Sequence, residues 1–501
     1  MRILFAALLM AALALGGAGC ARAYRDYGEA PAPPPPPTTE RNHDVTIHTF
    51  SNGLTLIHRR SAANAIAGVS TYIHTGASED DARDAGLTNL MMRTMQKGTT
   101  SRSAEEIAEQ LALLGAGLGT SAGQDFCKAS IQCLTEDLGP AMEIFADVLL
   151  NATFPDSELE LERKKVLASI RMGQDQNSVV ASRRLNRELF GEHAYGRPVE
   201  GLAETVQALP RAMIATRHRA SFLPGNMVMA VVCNAEFEEV RAIVEANFPK
   251  EAPTPKRRFT ADKIIAPSAS RTEILKNSEQ AFVLLGVRLC GEGDPDEPAI
   301  EVASTILGSG MSSRLFSELR DRRGLAYAVG AYPVFHRYQG YLAAYIGTKP
   351  ENATLRRTES KSHEDRLAAL EELGFADQAE RLRESGDRDF EGRLASLAEE
   401  GLWNEIERLR ESAVLPEELE RAKNYIAGDY LRSHERNMNQ AGYLAWWHIT
   451  GRGVEYDARY LDSIRAVTSR DIMRVANKYF LDPTAVVVRP PDGAAAGAGS
   501  P

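Results

Sequence analysis

The sequence predicts an α/β protein built from two similar domains, and three observations predict it. Apolar runs of period two alternate with runs of helical period along most of the chain, so strands and helices are interleaved. A segment starting at Ala208, "ALPRAMIATRHRASFLPGNMVMAVV", returns at Ala466 as "AVTSRDIMRVANKYFLDPTAVVV". Between them lies "KEAPTPKRRFTADKIIAPSAS", rich in Pro and charge, as a domain linker is. The two copies align at first without a gap: Leu209 with Val467, Ile214 with Ile472, Phe222 with Phe480, Leu223 with Leu481, at an offset of 258 residues. A period of that length predicts two related domains, not a solenoid.

Composition agrees with a chain that folds around more than one core. It has 501 residues, 44% hydrophobic and 25% charged, enough for two or three domains. The 58 Lys+Arg stand against 68 Asp+Glu, a net charge of -10. That balance argues against a general nucleic-acid surface.

The N-terminus reads as an address. "MRILFAALLMAALALGGAGC" places one Arg, an apolar run and small residues before Cys20, the layout of a secretory signal over residues 1–20. The run from Ile3 to Ala18 is short for a spanning helix, which needs about 20 residues. Small residues ahead of a Cys resemble a bacterial lipoprotein signal, in which Cys20 becomes the lipidated first residue, although Gly17 stands where that pattern prefers Leu. Residues 21–43 include "APAPPPPPTTE", a polyproline spacer that cannot build a core. The expectation is an exported protein, tethered in a bacterial periplasm by a lipid.

The elements follow in order. "HDVTIHTFSNGLTLIHRR" alternates around an Asn52-Gly53 turn. "AIAGVSTYIHTG" is a strand. Residues 84–97 form a helix with Leu87, Leu90, Met91 and Met95 inward and Gly98 as its stop. Ser103 and Glu106 make a capping box for a second helix that turns Ile107, Leu111 and Leu114 inward. "DFCKASIQCL" is a strand, and Ser157 with Glu160 caps a third helix through "LERKKVLASIRM". "NMVMAVVC" is a buried strand. The second half opens with the strand "QAFVLLGVRL" and the helix "EPAIEVASTILGSG". Residues 355 to about 400 are dense in mixed charge with sparse Leu, and read as a solvated helical insertion. The domains predicted are 44–250 and 271–491, joined by 251–270 and followed by a disordered tail, 492–501. Cys127 and Cys133 share a strand face too far apart to bridge, and the spacing leaves pairing of Cys233 with Cys290 open.

Several of these stretches, in this order, resemble one family. "HTGASEDD", "GLTNLMMRTMQKGT", "LFGEHAYGRPVEG", "FLPGNMVMAVV", "GSGMSSRLFSELRDRRGLAYAV" and "PEELERAKNYIAGDY" are similar to segments of the insulinase/pitrilysin zinc metallopeptidases, which include the mitochondrial processing peptidase and bacterial two-chain relatives. The resemblance runs from about residue 45 to 490, with the charged segment outside it. It implies two α/β domains, each a mostly antiparallel sheet with helices on one side, forming half of a clamshell. In active members the first helix carries His-x-x-Glu-His, whose two His bind zinc from one helical face while the Glu activates the bound water. Here the frame from Gly86 to Thr99 persists, but Asn89 and Arg93 hold the His positions and Met92 that of the base. The distant Glu ligand, 76 residues beyond Arg93, is Ser169, while Glu162 stands at the place of a supporting acid. Neutral Asn is a poor zinc ligand, Arg brings a fixed positive charge, and Met cannot act as a base.

The resemblance implies that another feature survives. An Arg and a Tyr seven residues later lie in the family's C-terminal domain and reach across the clamshell to the substrate; here they are Arg320 and Tyr327 in "LRDRRGLAY". Read alone, Arg320 is one charge of a surface helix and Tyr327 a half-buried aromatic. Beside a lost zinc site, the pair resembles that of a complementing subunit. The expectation is a non-catalytic chain without metal or other cofactor of its own, which encloses a peptide together with a zinc-bearing His-x-x-Glu-His partner. The alternative is a peptide-binding or scaffolding protein with no role in proteolysis. "LGSGMSS" reads as a helix-to-helix turn, Trp446-Trp447-His448 as core or interface, and "GAGLGTSAGQD" as the edge strand where the family adds substrate as an extra strand.

Overall fold

The computed structural model describes residues 38–42, 44–251, 269–278, 280–348, 368, 371 and 390–491. The signal with Cys20, the tether up to residue 37, most of the linker, the tail and most of 355–400 lie outside the described residues.

Two sheets organise the chain. The first contains β1 (Thr38–Asn42), β2 (Val45–Thr49), β3 (Thr55–Arg60), β4 (Ile66–Ile73), β5 (Gly117–Ala122), β6 (Cys127–Leu134) and β7 (Met227–Cys233), in the order β1-β2-β3-β7-β4-β6-β5. Its helices are α1 (Leu87–Thr94), α2 (Ala104–Leu113), α3 (Leu138–Asn151), α4 (Asp156–Asp175), α5 (Asn177–Phe190), α6 (Ala203–Ala208), α7 (Arg211–Ser221) and α8 (Phe237–Asn247). The second sheet contains β8 (Arg271–Leu275), β9 (Ala281–Arg288), β10 (Ala328–Val334), β11 (Tyr341–Thr348) and β12 (Thr484–Arg489), in the order β10-β11-β9-β12-β8. With it come α9 (Glu297–Gly308), α10 (Phe390–Glu411), α11 (Pro416–Ser433), α12 (Asn437–Ile449), α13 (Tyr456–Ala466) and α14 (Ser469–Tyr479).

The repeat is visible in three dimensions. α7 and α14 occupy the same span at the offset read from the sequence, and each ends on a Phe in nearly one conformation: Phe222 at φ -88°, ψ 64° and Phe480 at φ -86°, ψ 58°. β7 then runs parallel to β3 and antiparallel to β4; β12 runs parallel to β8 and antiparallel to β9. The other pairs are antiparallel. Dropping β1 and β2 leaves the same five-strand order in both sheets.

Each sheet buries its main core under its own helices. The opposite faces are also covered, which differs from the one-sided packing expected. α12 crosses to the first sheet, where Ala441, Leu444 and Ala445 pack on Val228 and Ala230. α5 crosses to the second sheet, where Leu185 and Leu189 pack on Leu284 and Val486. A glycine in each receiving strand lets the visiting helix seat. A Cβ on Gly68 would stand 2.4 Å from the Met438 backbone nitrogen, and one on Gly286 would stand 2.7 Å from Leu185 Cδ1.

Two local readings need correction. The Ser103–Glu106 capping box forms, with both reciprocal bonds. The Ser157–Glu160 box does not: α4 starts at Asp156 behind Pro155, and Glu160 instead pairs with Arg163 at 3.0 Å. Pro155 supplies a fixed φ of -55° ahead of the helix, so the start lies two residues earlier. The end of the segment read as a solvated insertion is core: from residue 390 it belongs to α10, where Ala395, Leu397 and Ala398 are buried. An Ala/Leu stripe continued by Leu402, Ile406 and Leu409 was masked by the charges on the other faces. Cys127, Cys133, Cys233 and Cys290 are free thiols, Cys233 packing in the first core and Cys290 against the second.

Candidate functional site

The helix at the place of the motif helix in the family resembled is α1. Leu87, Leu90, Met91 and Met95 are buried as their spacing predicts, and Gly98 ends the following turn at φ 145°. Its N-terminus is held from outside. Asp80 accepts the Thr88 backbone N–H at 3.0 Å and the Thr88 hydroxyl at 2.6 Å, and Arg217 of α7 approaches the same carboxylate at 3.3 Å. A carboxylate there satisfies an open helix N–H and suits the positive end of the dipole. Burial pushes the Asp80 carboxyl up to about 7, against the pull of Arg217 and the Thr88 bonds. On the other side, Thr120 of β5 donates its hydroxyl to the Met92 carbonyl at 2.7 Å, tying the edge strand to the helix. Sequence reasoning missed Asp80, Arg217 and Thr120. Asp80 lies within the quoted "HTGASEDD", but its partners are distant in the chain.

The motif positions are occupied by different physics. Met92, at the base position, is 0% exposed and belongs to the first core. Asn89 is half-buried and Arg93 exposed, one turn apart on α1. Arg93 Nε donates to Glu162 Oε2 at 3.1 Å, and Lys165 Nζ donates to Glu162 Oε1 at 2.7 Å. Burial opposes ionisation of Glu162, but the Lys165 bond and the charges of Arg93, Lys165 and Lys97 win and hold its carboxyl below the ordinary value. Ser169, two turns further along α4, is exposed. Zinc does not fit this set: an amide, a fixed cation, a hydroxyl and a carboxylate already carrying two cationic partners. Among the described residues no three His, Cys, Asp or Glu side chains are grouped to hold a metal.

Arg320 and Tyr327 lie in the other domain, on the segment leading into β10. That strand ends the second sheet as β5 ends the first. Residues Phe316–Arg322 form a π-helical turn, a feature frequent at functional sites. Leu319 and Leu325 anchor the segment in the core, the Leu325 N–H donating to the Leu319 carbonyl at 2.8 Å. Glu318 takes both neighbouring cations, Arg322 at 3.1 Å and Arg323 at 2.6 Å. Arg320 pairs with no carboxylate among the described residues; its guanidinium lies 4.7 Å over the Phe316 ring and is exposed. Tyr327 is 48% exposed, its ring against Gly347 and its N–H bonded to the Gly347 carbonyl at 3.1 Å. No hydrogen bond links Arg320 or Tyr327 to Asn89, Arg93 or Ser169 among the described residues, so the chain does not assemble the two groups into one site by direct contact.

The remaining motifs also find places. Among the described residues β5 pairs only with β6 and is the outer strand of its sheet. Residues 309–313 link α9 to the helical segment carrying Arg320, with Met311 78% exposed. Trp447 is buried in the second core, while Trp446 packs on Tyr72 and Phe126 of the first domain at 5.3 and 5.6 Å.

The fold and this site define a peptidase-like protein whose metal-binding and general-base positions have been replaced. The profile described as Insulinase (Peptidase family M16) matches residues 55–202, and that described as Peptidase M16 inactive domain matches residues 208–365. An uncharacterized zinc protease of Mycobacterium leprae is 31% identical over 315 residues, 62% of this chain and 70% of that protein. An uncharacterized zinc protease of Bacillus subtilis is 25% identical over 301 residues, 60% of this chain and 73% of that protein. Among solved structures, a peptidase M16 inactive domain from Pseudomonas fluorescens shares the fold with a TM-score of 0.74 at 21% identity, over 89% of this chain and 98% of that one. A protease from Helicobacter pylori does so at 0.73 and 19% identity, over 91% and 100%. The chain belongs to the insulinase family, peptidase family M16, as a member with a degenerate zinc motif.

Proposed function

We propose that this chain is the non-catalytic subunit of an exported, heterodimeric zinc metallopeptidase. It encloses a peptide together with a homologous His-x-x-Glu-His subunit that holds the zinc, and it presents Arg320 and Tyr327 to the substrate. The observation that carries the reading is the contrast within one chain. The motif helix carries a core Met at the base position and an ion-paired Arg at a ligand position, while Arg320, among the described residues, is left without a carboxylate beside two neighbouring Arg that share Glu318. A guanidinium and a phenol both donate hydrogen bonds. Aimed at a peptide carbonyl, they favour the oxyanion that develops when water attacks, worth about 2.7–4 kcal/mol per donor in comparable sites. β5, an open edge tied to α1 through Thr120, is the natural place for the peptide to pair as an added strand.

Export and the periplasmic lipid tether rest on residues 1–37: the signal layout, Cys20 and the Pro-rich spacer. Among the described residues no helix is long and apolar enough to cross a membrane. The test is peptide cleavage by the purified chain mixed with its His-x-x-Glu-His homologue. Activity confined to the mixture supports a subunit of an enzyme; binding without a gain in cleavage favours a scaffold.

A further inference from the structure

A cavity of about 430 Å³ opens to solvent where α12 crosses the first sheet, lined by Tyr72, Lys128, Ser433, Tyr443 and Trp446 among others. Lys128 reaches it through the pleat of β6. Its neighbours Cys127 and Ala129 enter the first core, so Lys128 emerges on the opposite face, in register with Tyr72 of β4. The ammonium lies 5.4 Å from the Tyr72 ring centroid, and a Cβ on Gly442 of α12 would stand 3.4 Å from it. It pairs with no carboxylate among the described residues, and burial alone lowers its pKa. A part-desolvated ammonium is costly unless an anion faces it.

The adjoining cavity shows what a satisfied version looks like. Trp446 also walls a space of about 240 Å³ that gathers Glu292, Glu297 and Glu301. The fold supplies that space with its own cation: Arg452 pairs with Glu297 and lies over Trp447 and Tyr456, at 5.3 and 4.7 Å. Burial pushes Glu292 up to about 8, so it adds little negative charge near Tyr72 at neutral pH. The acidic cavity thus has an internal counter-ion, whereas Lys128 in the other has no paired carboxylate among the described residues. Ser433 also lines the Lys128 cavity, and Tyr72, Tyr443 and Trp446 give it an aromatic surface.

We propose that this cavity is a carboxylate subsite for the end of a peptide, with the C-terminal carboxylate on Lys128 and the last side chain against Tyr72, Tyr443 and Trp446. The choice of a peptide carboxylate rests on the reading of the chain as a peptide-enclosing protein; the unpaired Lys128 and its cavity do not. The test uses N-acetyl-leucyl-phenylalanine and its C-terminal amide, titrated calorimetrically into the full chain and followed by tryptophan fluorescence through Trp446. The acid should bind about tenfold more tightly than the amide, as a charge-assisted hydrogen bond to an ammonium provides. Lys128→Met should erase that difference and Lys128→Arg retain it. Equal binding of acid and amide by the unaltered chain, binding of neither, or displacement of the acid by equimolar inorganic phosphate would overturn the proposal. Neither a partner chain nor turnover enters this titration, so its failure is separable from failure of the proteolytic role.

Discussion

Arg93, at a position where the family's motif carries a zinc ligand, supports a buried acid. The Glu162 carboxylate without a cation beside it would be a liability, and the Arg93 guanidinium removes it by bonding to Glu162. Arg93→Met should therefore lower stability, by about 1 kcal/mol because the Arg93 side chain is 43% exposed and the pair is screened. Chemical denaturation of the variant measures it, and Arg93→Lys should recover part of the loss. Arg320→Ala and Tyr327→Phe should leave the denaturation midpoint unchanged, since both side chains are exposed. At this scale the sequence was informative about identity and silent about pairing. The replacements at Asn89, Met92, Arg93 and Ser169 are legible through the resemblance to the family's motif; that Arg93 would meet Glu162, and that Asp80 would hold Thr88, depends on chain segments brought together only by the fold.

The helices exchanged between domains carry the argument at the scale of elements. Gly68 meets backbone of α12, which has little freedom to move, whereas Gly286 meets the end of the Leu185 side chain, which can rotate. Gly68→Val should accordingly destabilise at or above the about 1–3 kcal/mol typical of overpacking, and Gly286→Val less. Thermal denaturation of the two variants side by side reads the difference; equal losses would mean that the visiting helices adjust alike. The strands and helices were legible because their periods were clean, as in α1 and α2. The exchange was not, because α5 and α12 carry ordinary apolar faces that do not say which sheet they cover. Charge density likewise hid the buried stripe of α10, and Pro155 displaced the start predicted for α4.

In the whole molecule, two five-strand cores face one another through those helices and through a buried ion pair. Arg59 of β3 meets Asp457 of α13 at 2.9 Å, and Asp457 also accepts from His434 at 3.0 Å and from the Tyr430 hydroxyl at 2.6 Å. Burial opposes the Asp457 charge, but the bonds from His434 and Tyr430 and the charge of Arg59 prevail and hold its carboxyl down at about 2. A carboxyl lowered by folding stabilises the protein above its unfolded value near 3.8, and that contribution disappears as pH falls towards 2. Stability measured against pH should lose about 2 kcal/mol across that window, and Asp457→Asn should flatten it while weakening the protein at neutral pH. The two-domain plan was legible from the repeat, since α7 and α14, 258 residues apart, became equivalent helices that each lead into a matching strand. The contacts joining the halves were not, because none follows a period.

The central claim is that this chain completes another subunit's active site. The most direct measurement is cleavage of a peptide library by the chain mixed with the His-x-x-Glu-His homologue encoded nearest to it, with each chain alone as the control. The account predicts cleavage only in the mixture, reduced about 100- to 1000-fold by Arg320→Ala and strongly by Tyr327→Phe, with complex formation intact. A mixture that binds but cleaves no faster than the partner alone, or one indifferent to both substitutions, would contradict it.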